Sequence, residues 1–445
     1  MRFRQNVVGA PRDVKLLWAS VFLRLLSYGI TNQVLTLLLS GIHMGEDRIG
    51  LFMSLTLVGD VLCSYILTWY ADSWGRRRVL IYGSIMMMLS GIVFSYSENF
   101  HVLLIFAIFG VISPSSDEVG PFKSIEESMI AHLSSNDKRP DVYAMHSLVG
   151  TVGSALGAIS CGVFIKFIKS HGYATTDVES YKLVFRLYAF IAFMKVIIML
   201  MLSEKTELDS HFHDHIEDNN LSEAIVHDEL TPLVETAAHK NEINKSRALS
   251  KETKATLTKL LVIFMVDSLG SGFMTSGWMV YYYKNIFLLS PVALGTMFFV
   301  SQGVQALSTL PSSSITRRLG PVKTTLAVQI PSGIFSILIP FAVNYLPLSI
   351  FLLNLHFATM AMDVTPRQII LTNLFKSSEL TRVMGIVNIG KTFARCIGPI
   401  FTGLLASKGL LWCCYIISGS LVITADAILA FWFLSIDHKI KAQCS

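Results

Sequence analysis

Apolar residues gather into long blocks along this chain, divided by short polar and mostly basic stretches. A helix that crosses a bilayer needs ~20 largely apolar residues. Six blocks of that size precede residue 203, at about 16–39, 49–70, 77–96, 102–133, 143–168 and 183–202. Six more follow residue 258, at about 259–283, 292–315, 322–343, 348–375, 383–406 and 411–435. The pattern predicts an all-α membrane protein with twelve membrane-spanning helices. The fourth and tenth blocks are long and carry charges, so hydropathy defines them least well.

Between the sixth and seventh blocks the character changes. Of 67 charged residues, 19 lie in the 57 residues from Ser203 to Lys259, twelve of them acidic. The chain as a whole is 52% hydrophobic and 15% charged, with mean hydropathy +0.55. A soluble domain carries about 25% charged residues, and a disordered chain is far less hydrophobic. The organisation expected is an N-terminal six-helix bundle at 1–202, a disordered cytoplasmic linker at 203–258 and a C-terminal six-helix bundle at 259–445. Alternate loops hold 23 Lys/Arg on one side, with both termini and the linker, against seven on the other. Cytoplasmic loops are the basic ones, so both termini and the linker are expected in the cytoplasm. The net charge of +5 reflects these loops and is no nucleic-acid signal. The first block is too long for a signal peptide and reads as a span. Five of the six cysteines fall inside spans, so no disulfide framework is implied.

The two halves match at a nearly constant offset. At +245, Gly50 pairs with Gly295, Gly75 with Gly320, and Glu118-Val119-Gly120-Pro121 with Asp363-Val364-Thr365-Pro366. At +241, Thr151, Gly157 and Gly162 fall on Thr392, Gly398 and Gly403. Two parallel six-span repeats imply two bundles with a site between them near the midplane. Gly150, Gly153 and Gly157 make a small-residue packing face on span five. Tyr281-Tyr282-Tyr283, beside Lys284, reads as an interfacial belt.

One loop is more specific. Thr68-Trp69-Tyr70-Ala71-Asp72-Ser73-Trp74-Gly75-Arg76-Arg77-Arg78, between spans two and three, resembles the signature loop of the major facilitator superfamily, Gly-x-x-x-Asp-(Arg/Lys)-x-Gly-Arg-x-(Arg/Lys). Thr68 stands where the family has Gly, and Ser73 where it has Arg or Lys. The second-half copy, Thr316 to Lys323, has lost the Asp. With twelve spans and a 6+6 repeat, the resemblance covers nearly the whole chain. It implies the fold of that superfamily, with two pseudo-symmetric bundles and a cavity lined by spans one, four, seven and ten. It also implies a gating role for the loop. Gly75 permits a tight turn, Asp72 can accept amides at a neighbouring helix N-terminus, and Arg76 anchors the loop.

Charges at membrane depth are costly and mark functional positions. Arg24 lies in span one, Asp60 in span two, Lys195 in span six, Asp267 in span seven and Asp426 in span twelve. Span four carries Asp117 and Glu118 beside Pro114, Gly120 and Pro121. Proline frees backbone carbonyls, which lipid-depth helices tolerate where they line a wet cavity. Glu118, the symmetric partner of Asp363, is the stronger proton-carrying candidate. Glu126 and Glu127 are expected to pair with loop arginines near the cytoplasmic end. Asp363 and Arg367 are four apart and can pair on one face. Lys391 and Arg395 repeat that spacing with like charges, which need an anion from the protein or from a substrate. Arg24 and Asp267 stand at related positions, for a salt bridge across the cavity or for substrate. The candidates for substrate binding or coupling are therefore Arg24, Asp117, Glu118, Asp267, Asp363, Arg367, Lys391 and Arg395.

The linker holds five of twelve histidines, including His211, His213 and His215. With no scaffold around them they read as a solvated tract, and no metal or cofactor is expected. Glu229 to Val234 is close to an acidic dileucine sorting signal, leaving a plasma membrane or a vacuolar or endolysosomal one open. No Walker loop and no hydrolase or protease motif occurs, so neither ATP drive nor an enzyme is expected. The sequence supports a secondary transporter of a small polar or ionic solute, proton-coupled, in the bilayer as a monomer. The alternative is a transporter-like nutrient receptor signalling through the linker.

Overall fold

The structure is a computed structural model that describes residues 6–110, 112, 121–134, 138–207, 251–375 and 377–435. Its regular elements are helices, with no strand among the described residues. In the first half, span one is α1 (Arg12–Asn32) followed by α2 (Leu35–Gly41), and span two is α3 (Glu46–Trp74). Span three is α4 (Arg76–Tyr96), and span four is α5 (Phe100–Phe109) with α6 (Pro121–Leu133). Spans five and six are α7 (Arg139–Ser170) and α8 (Asp177–Leu200). The second half repeats this order. Span seven is α9 (Lys251–Phe273) and α10 (Ser276–Phe287), and spans eight and nine are α11 (Pro291–Leu319) and α12 (Pro321–Leu338). Span ten is α13 (Leu346–Ala361) and α14 (Val364–Leu374); α15 (Ser377–Ala406) and α16 (Leu411–Phe433) complete it.

Local chemistry sets the boundaries. Thr176 and Glu179 form a capping box at the start of α8. Asn99 caps α5, and Ser290 caps α11 ahead of Pro291. Gly75 and Gly320 each end a helix at φ 95°, a conformation that glycine adopts without a Cβ penalty. Nine described stretches are long and apolar enough to cross a membrane. Span four falls outside that set because residues 111 and 113–120 within it lie outside the described residues. α11 and α15 fall outside it because of polar residues such as Gln302, Gln305, Lys391 and Arg395. Helix α9 starts at Lys251, upstream of the apolar run read from 259.

The two halves pack alike. α1 lies on α7 as α9 lies on α15, and α4 on α8 as α12 on α16. Between the bundles, α3 meets α15 and α11 meets α7. The glycines found by offset occupy these contacts. A Cβ on Gly157 would fall 2.9 Å from the Gly29 Cα, and one on Gly398 would fall 2.6 Å from the Gly272 carbonyl oxygen. One on Gly50 would lie 2.8 Å from the Gly403 Cα, and one on Gly295 would lie 2.5 Å from the Ala158 oxygen. Gly150 and Gly153 press on α1 through Leu25 and Phe22. The repeat is therefore a repeat of close helix approaches.

The tyrosine run is not an interfacial belt. Tyr282 and Tyr283 are buried, Tyr283 Oη bonds to Ser349, and Tyr281 Oη donates to Glu46 Oε1 at 2.9 Å. Helix α10 is held inside the protein, because it lies between the bundles and against the second one. Past α8, Ser203 to Glu207 fold back onto the first bundle. Ser203 donates from N and Oγ to Asp13, and Glu207 accepts from the amides of Arg76 and Arg77 at 2.7 and 3.0 Å.

Candidate functional site

The spans the resemblance assigned to the cavity, one, four, seven and ten, are the four that the structure divides into two helices each. Broken helices place polar groups at membrane depth where they face protein or a cavity. Charged side chains cluster around them, in one group per bundle.

In the first bundle Glu126 of α6 is the centre. It is wholly buried and accepts from Arg24 Nη2 at 2.9 Å and from Ser20 Oγ at 2.9 Å. His146 Nε2 of α7 lies 3.8 Å from it. Lys195 of α8, also fully buried, is close enough to act on Glu126 electrostatically. The Lys195 ammonium sits 3.5 Å from the Phe122 ring centroid, a cation–π contact. This corrects the sequence expectation for Glu126, which pairs with Arg24 inside the bundle and not with a loop arginine. Its hydrogen bond to Arg24 of α1 holds Glu126 inside the bundle, level with that residue.

In the second bundle the centre is Arg367 of α14. Its Nη1 and Nη2 donate to the two oxygens of Asp267 at 2.5 and 2.9 Å, a bidentate fork. Its Nε pairs with Asp363, one turn away, as the spacing predicted. Gln329 of α12 donates to Asp363 Oδ2 at 2.9 Å. Asp426 of α16, buried, adds a third acid within electrostatic reach of Arg367. Lys391 and Arg395 of α15 lie within electrostatic reach of Asp267.

The two groups are charge-inverted copies. Arg24 and Asp267 are 243 residues apart, and Glu126 and Arg367 are 241 apart. The first bundle carries plus, minus, plus on its first, fourth and sixth spans, as Arg24, Glu126 and Lys195. The second carries minus, plus, minus, as Asp267, Arg367 and Asp426. Arg24 and Asp267 do not bridge the cavity, since each is bonded within its own bundle. Asp117 and Glu118 lie outside the described residues, as do His211 to His239, the Glu229 to Val234 motif and the Asp72 side chain. Gly75 and Arg76 stand at the turn between α3 and α4, where Glu207 holds the Arg76 amide.

Two adjoining cavities lie beside these groups. One, of about 100 Å³, is lined by Asp267, Thr275, Gln329, Ser332, His356 and Arg395 among others. The other, of about 230 Å³, has walls from both bundles, including Tyr28, Thr151, Ser154, Ser301, Gln302 and Gln305. Ser276 and Phe357 belong to both walls. The uncharged polar residues of the larger cavity were missed from sequence, where attention fell on charges. The spacing of Ser301, Gln305 and Thr309, four apart on one helix face, is the signal that could have found them.

The bundles close on each other at the end away from the termini. There Gly50 meets Gly403, Gly162 meets Pro291, Gly277 lies against Thr36, and Tyr281 bonds Glu46. Towards the end bearing the termini, the Gly303 and Gly385 faces of α11 and α15 have open space beside them.

The family model of the Major Facilitator Superfamily matches residues 17–271 and 260–443. Uncharacterized membrane protein YJR124C of Saccharomyces cerevisiae is 70% identical over 435 residues, covering 98% of this chain and 97% of that protein. A D-xylose-proton symporter superposes with TM-score 0.69 at 12% identity, covering 94% of this chain and 97% of that one. A bacterial homologue of the human lysosomal transporter Spinster, inward-facing and unoccupied, gives 0.67 at 13% identity with 94% of each chain covered. A POT family transporter in complex with 5-aminolevulinic acid gives 0.67 at 16% identity with 97% of each covered.

Proposed function

Since the chain belongs to the major facilitator superfamily and has that superfamily's fold of twelve membrane helices in two pseudo-symmetric bundles, we propose that it is a proton-coupled secondary transporter of a small polar solute, working by alternating access. The observation that carries the proposal is the arginine at Arg367. It is shared by Asp267, Asp363 and Asp426 beside a cavity that Asp267 itself lines. Protonating one of these acids would loosen its hold on the arginine, so moving a proton changes what holds Arg367. The neighbouring structures named for a D-xylose-proton symporter and for a complex with 5-aminolevulinic acid support a small polar solute.

The bundles, 1–202 and 259–445, are the moving bodies in this reading, joined by 203–258. Both termini and the joining segment face the cytoplasm, in a plasma or a vacuolar or endolysosomal membrane. The closed end is then the outer or luminal one, and the structure corresponds to a state facing the cytoplasm. The basic-loop asymmetry of 23 to seven supports that orientation.

The test is solute uptake into proteoliposomes under an imposed pH gradient, comparing wild type with Asp267→Asn and Glu118→Gln. Either acid, if it carries the coupling proton, leaves solute exchange intact and removes gradient-driven accumulation. Accumulation unchanged in both variants would remove these two acids from the coupling path. A bound solute that wild type never moves would favour the receptor reading.

A further inference from the structure

The two cavities differ in chemistry, and the difference bears on what is carried. Around them Arg24 pairs with Glu126, and Arg367 with Asp267 and Asp363, while Arg395 lies in the wall of the smaller cavity. Among the described residues, none that lines the larger cavity is charged. Its volume of about 230 Å³ far exceeds the ~10–15 Å³ that a single water requires.

The polar atoms in that wall are neither all donors nor all acceptors. Thr309 Oγ1 donates back to the Ala306 carbonyl and Thr151 Oγ1 to the Ser147 carbonyl, so each hydroxyl offers the cavity an acceptor. The carboxamides of Gln302 and Gln305 carry two donor hydrogens and one acceptor oxygen each. Ser301 Oγ is buried without a hydrogen-bond partner, although Ser301 lines the cavity. Thr275 Oγ1, at the adjoining cavity, is also buried without one. A buried polar atom left unpaired is unfavourable, and both residues belong to the cavity walls.

Resting on the transporter reading above, we propose that the solute is uncharged and rich in hydroxyl or amide groups. Its site is the stripe of Ser301, Gln302, Gln305 and Thr309 on α11, together with Thr151 and Ser154 of α7. Hydroxyls and amides both give and take hydrogen bonds, which matches a mixed wall. An anion would meet acceptors, a cation would meet donors, and either would leave water without a counter-charge. The charge-bearing cavity next door is left to the proton. Ser301, Gln305 and Thr309 share a helix face, so a solute several bonds long is read along one stripe.

The test uses the purified full chain and thermal stabilisation by a panel. The panel holds neutral sugars, polyols and end-capped dipeptide amides, set against small carboxylates, phosphate esters and primary amines. The expected result is stabilisation by one or more neutral compounds only. Gln305→Leu and Gln302→Leu should each weaken that compound's affinity by ~10-fold or more, since buried partners are then left unpaired. Both glutamines are only partly buried, so the variants should melt as wild type does without ligand. If a variant does not fold, the wild-type panel alone still decides between neutral and charged. A charged compound as the strongest stabiliser overturns the proposal. So does a neutral compound whose affinity is the same in both variants, or no neutral compound stabilising at all. Uptake of the stabilising compound into proteoliposomes separates the two readings. Binding with the expected pattern but without uptake refutes transport and keeps the site; uptake of a charged compound does the reverse.

Discussion

Removing Glu126 should harm the first bundle more than removing Arg24, although the two form one ion pair. Glu126 is the acid bonded to Arg24 and within electrostatic reach of Lys195, with His146 at 3.8 Å. Arg24→Met leaves Glu126 with Lys195 and takes away only the more distant cation from Asp60. The loss is then a charge-assisted hydrogen bond, worth roughly 1.5–3 kcal/mol. Glu126→Gln keeps the shape and a bond to Ser20 but leaves Lys195 without its acid and Arg24 with only the more distant Asp60. Breaking a buried pair in that way costs about 3–5 kcal/mol. For a body of ~150–250 residues, 1 kcal/mol moves the melting temperature by roughly 2–4 °C. Glu126→Gln should therefore melt about 6–20 °C lower than wild type, and Arg24→Met by a visibly smaller step. Glu126→Gln with Lys195→Met should recover much of the loss, because the remaining cation, Arg24, keeps partial exposure of 11%. The assay is thermal unfolding in detergent, followed by tryptophan fluorescence, on all four proteins. Equal losses for the two single variants, or a double variant no better than Glu126→Gln, would refute the placing of Glu126 at the centre.

Two further outcomes follow from the packing and from the closed end. Gly398→Leu would drive a side chain into the Gly272 backbone, where even a Cβ falls 2.6 Å from the carbonyl oxygen, so folded yield in a membrane expression assay should collapse while Gly385→Leu, in open space, is tolerated. Tyr281→Phe removes the bond to Glu46 at the closed end, worth roughly 1.5–3 kcal/mol when the acceptor is charged, and a cysteine placed at Gly277 should become more reactive to a membrane-impermeant maleimide added from that side; unchanged reactivity would show that the bond does not hold the end shut.

The fold was largely legible because its signals are repeated. Twelve apolar blocks, the basic-loop asymmetry and the glycine offsets all speak to the same architecture. The glycines give close approaches at Gly29 with Gly157 and at Gly272 with Gly398. Within the site, the Asp363–Arg367 pair was legible because its partners are one helical turn apart. The Arg24–Glu126 pair was not, since its partners are separated by 102 residues and nothing local links them. Glu126 was misjudged because hydropathy treats 102–133 as one span, and depth counted along it sets Glu126 near an end. Its bond to Arg24 is what sets it inside the bundle. Tyr281 to Tyr283 looked like a belt because position near Lys284 is all that sequence offers. Their burial depends on where α10 sits between the bundles, which no local pattern records.

The placing of the charges bears on how such a protein can move. An ion pair spanning the two bundles would have to be pulled apart in every cycle, at a cost of several kcal/mol for a buried pair. Here the described buried pairs close within one bundle: Arg24 with Glu126 in the first, Arg367 with Asp267 and Asp363 in the second. Each bundle can then rotate with its charges compensated. What the closed end asks to be broken is of another kind: the approaches of Gly50 to Gly403 and of Gly162 to Pro291, and the bond from Tyr281 to Glu46. Contacts between small residues are made and lost without stranding a charge. Polar atoms buried at that end, such as Gln33 Oε1 and Nε2, Thr36 Oγ1 and Trp278 Nε1, have no hydrogen-bond partner while it is shut, and opening would let water satisfy them. The closed end is thus held by apolar contact and opposed by unpaired polar groups. Such a balance would suit the alternating access proposed above, which needs two states close in free energy.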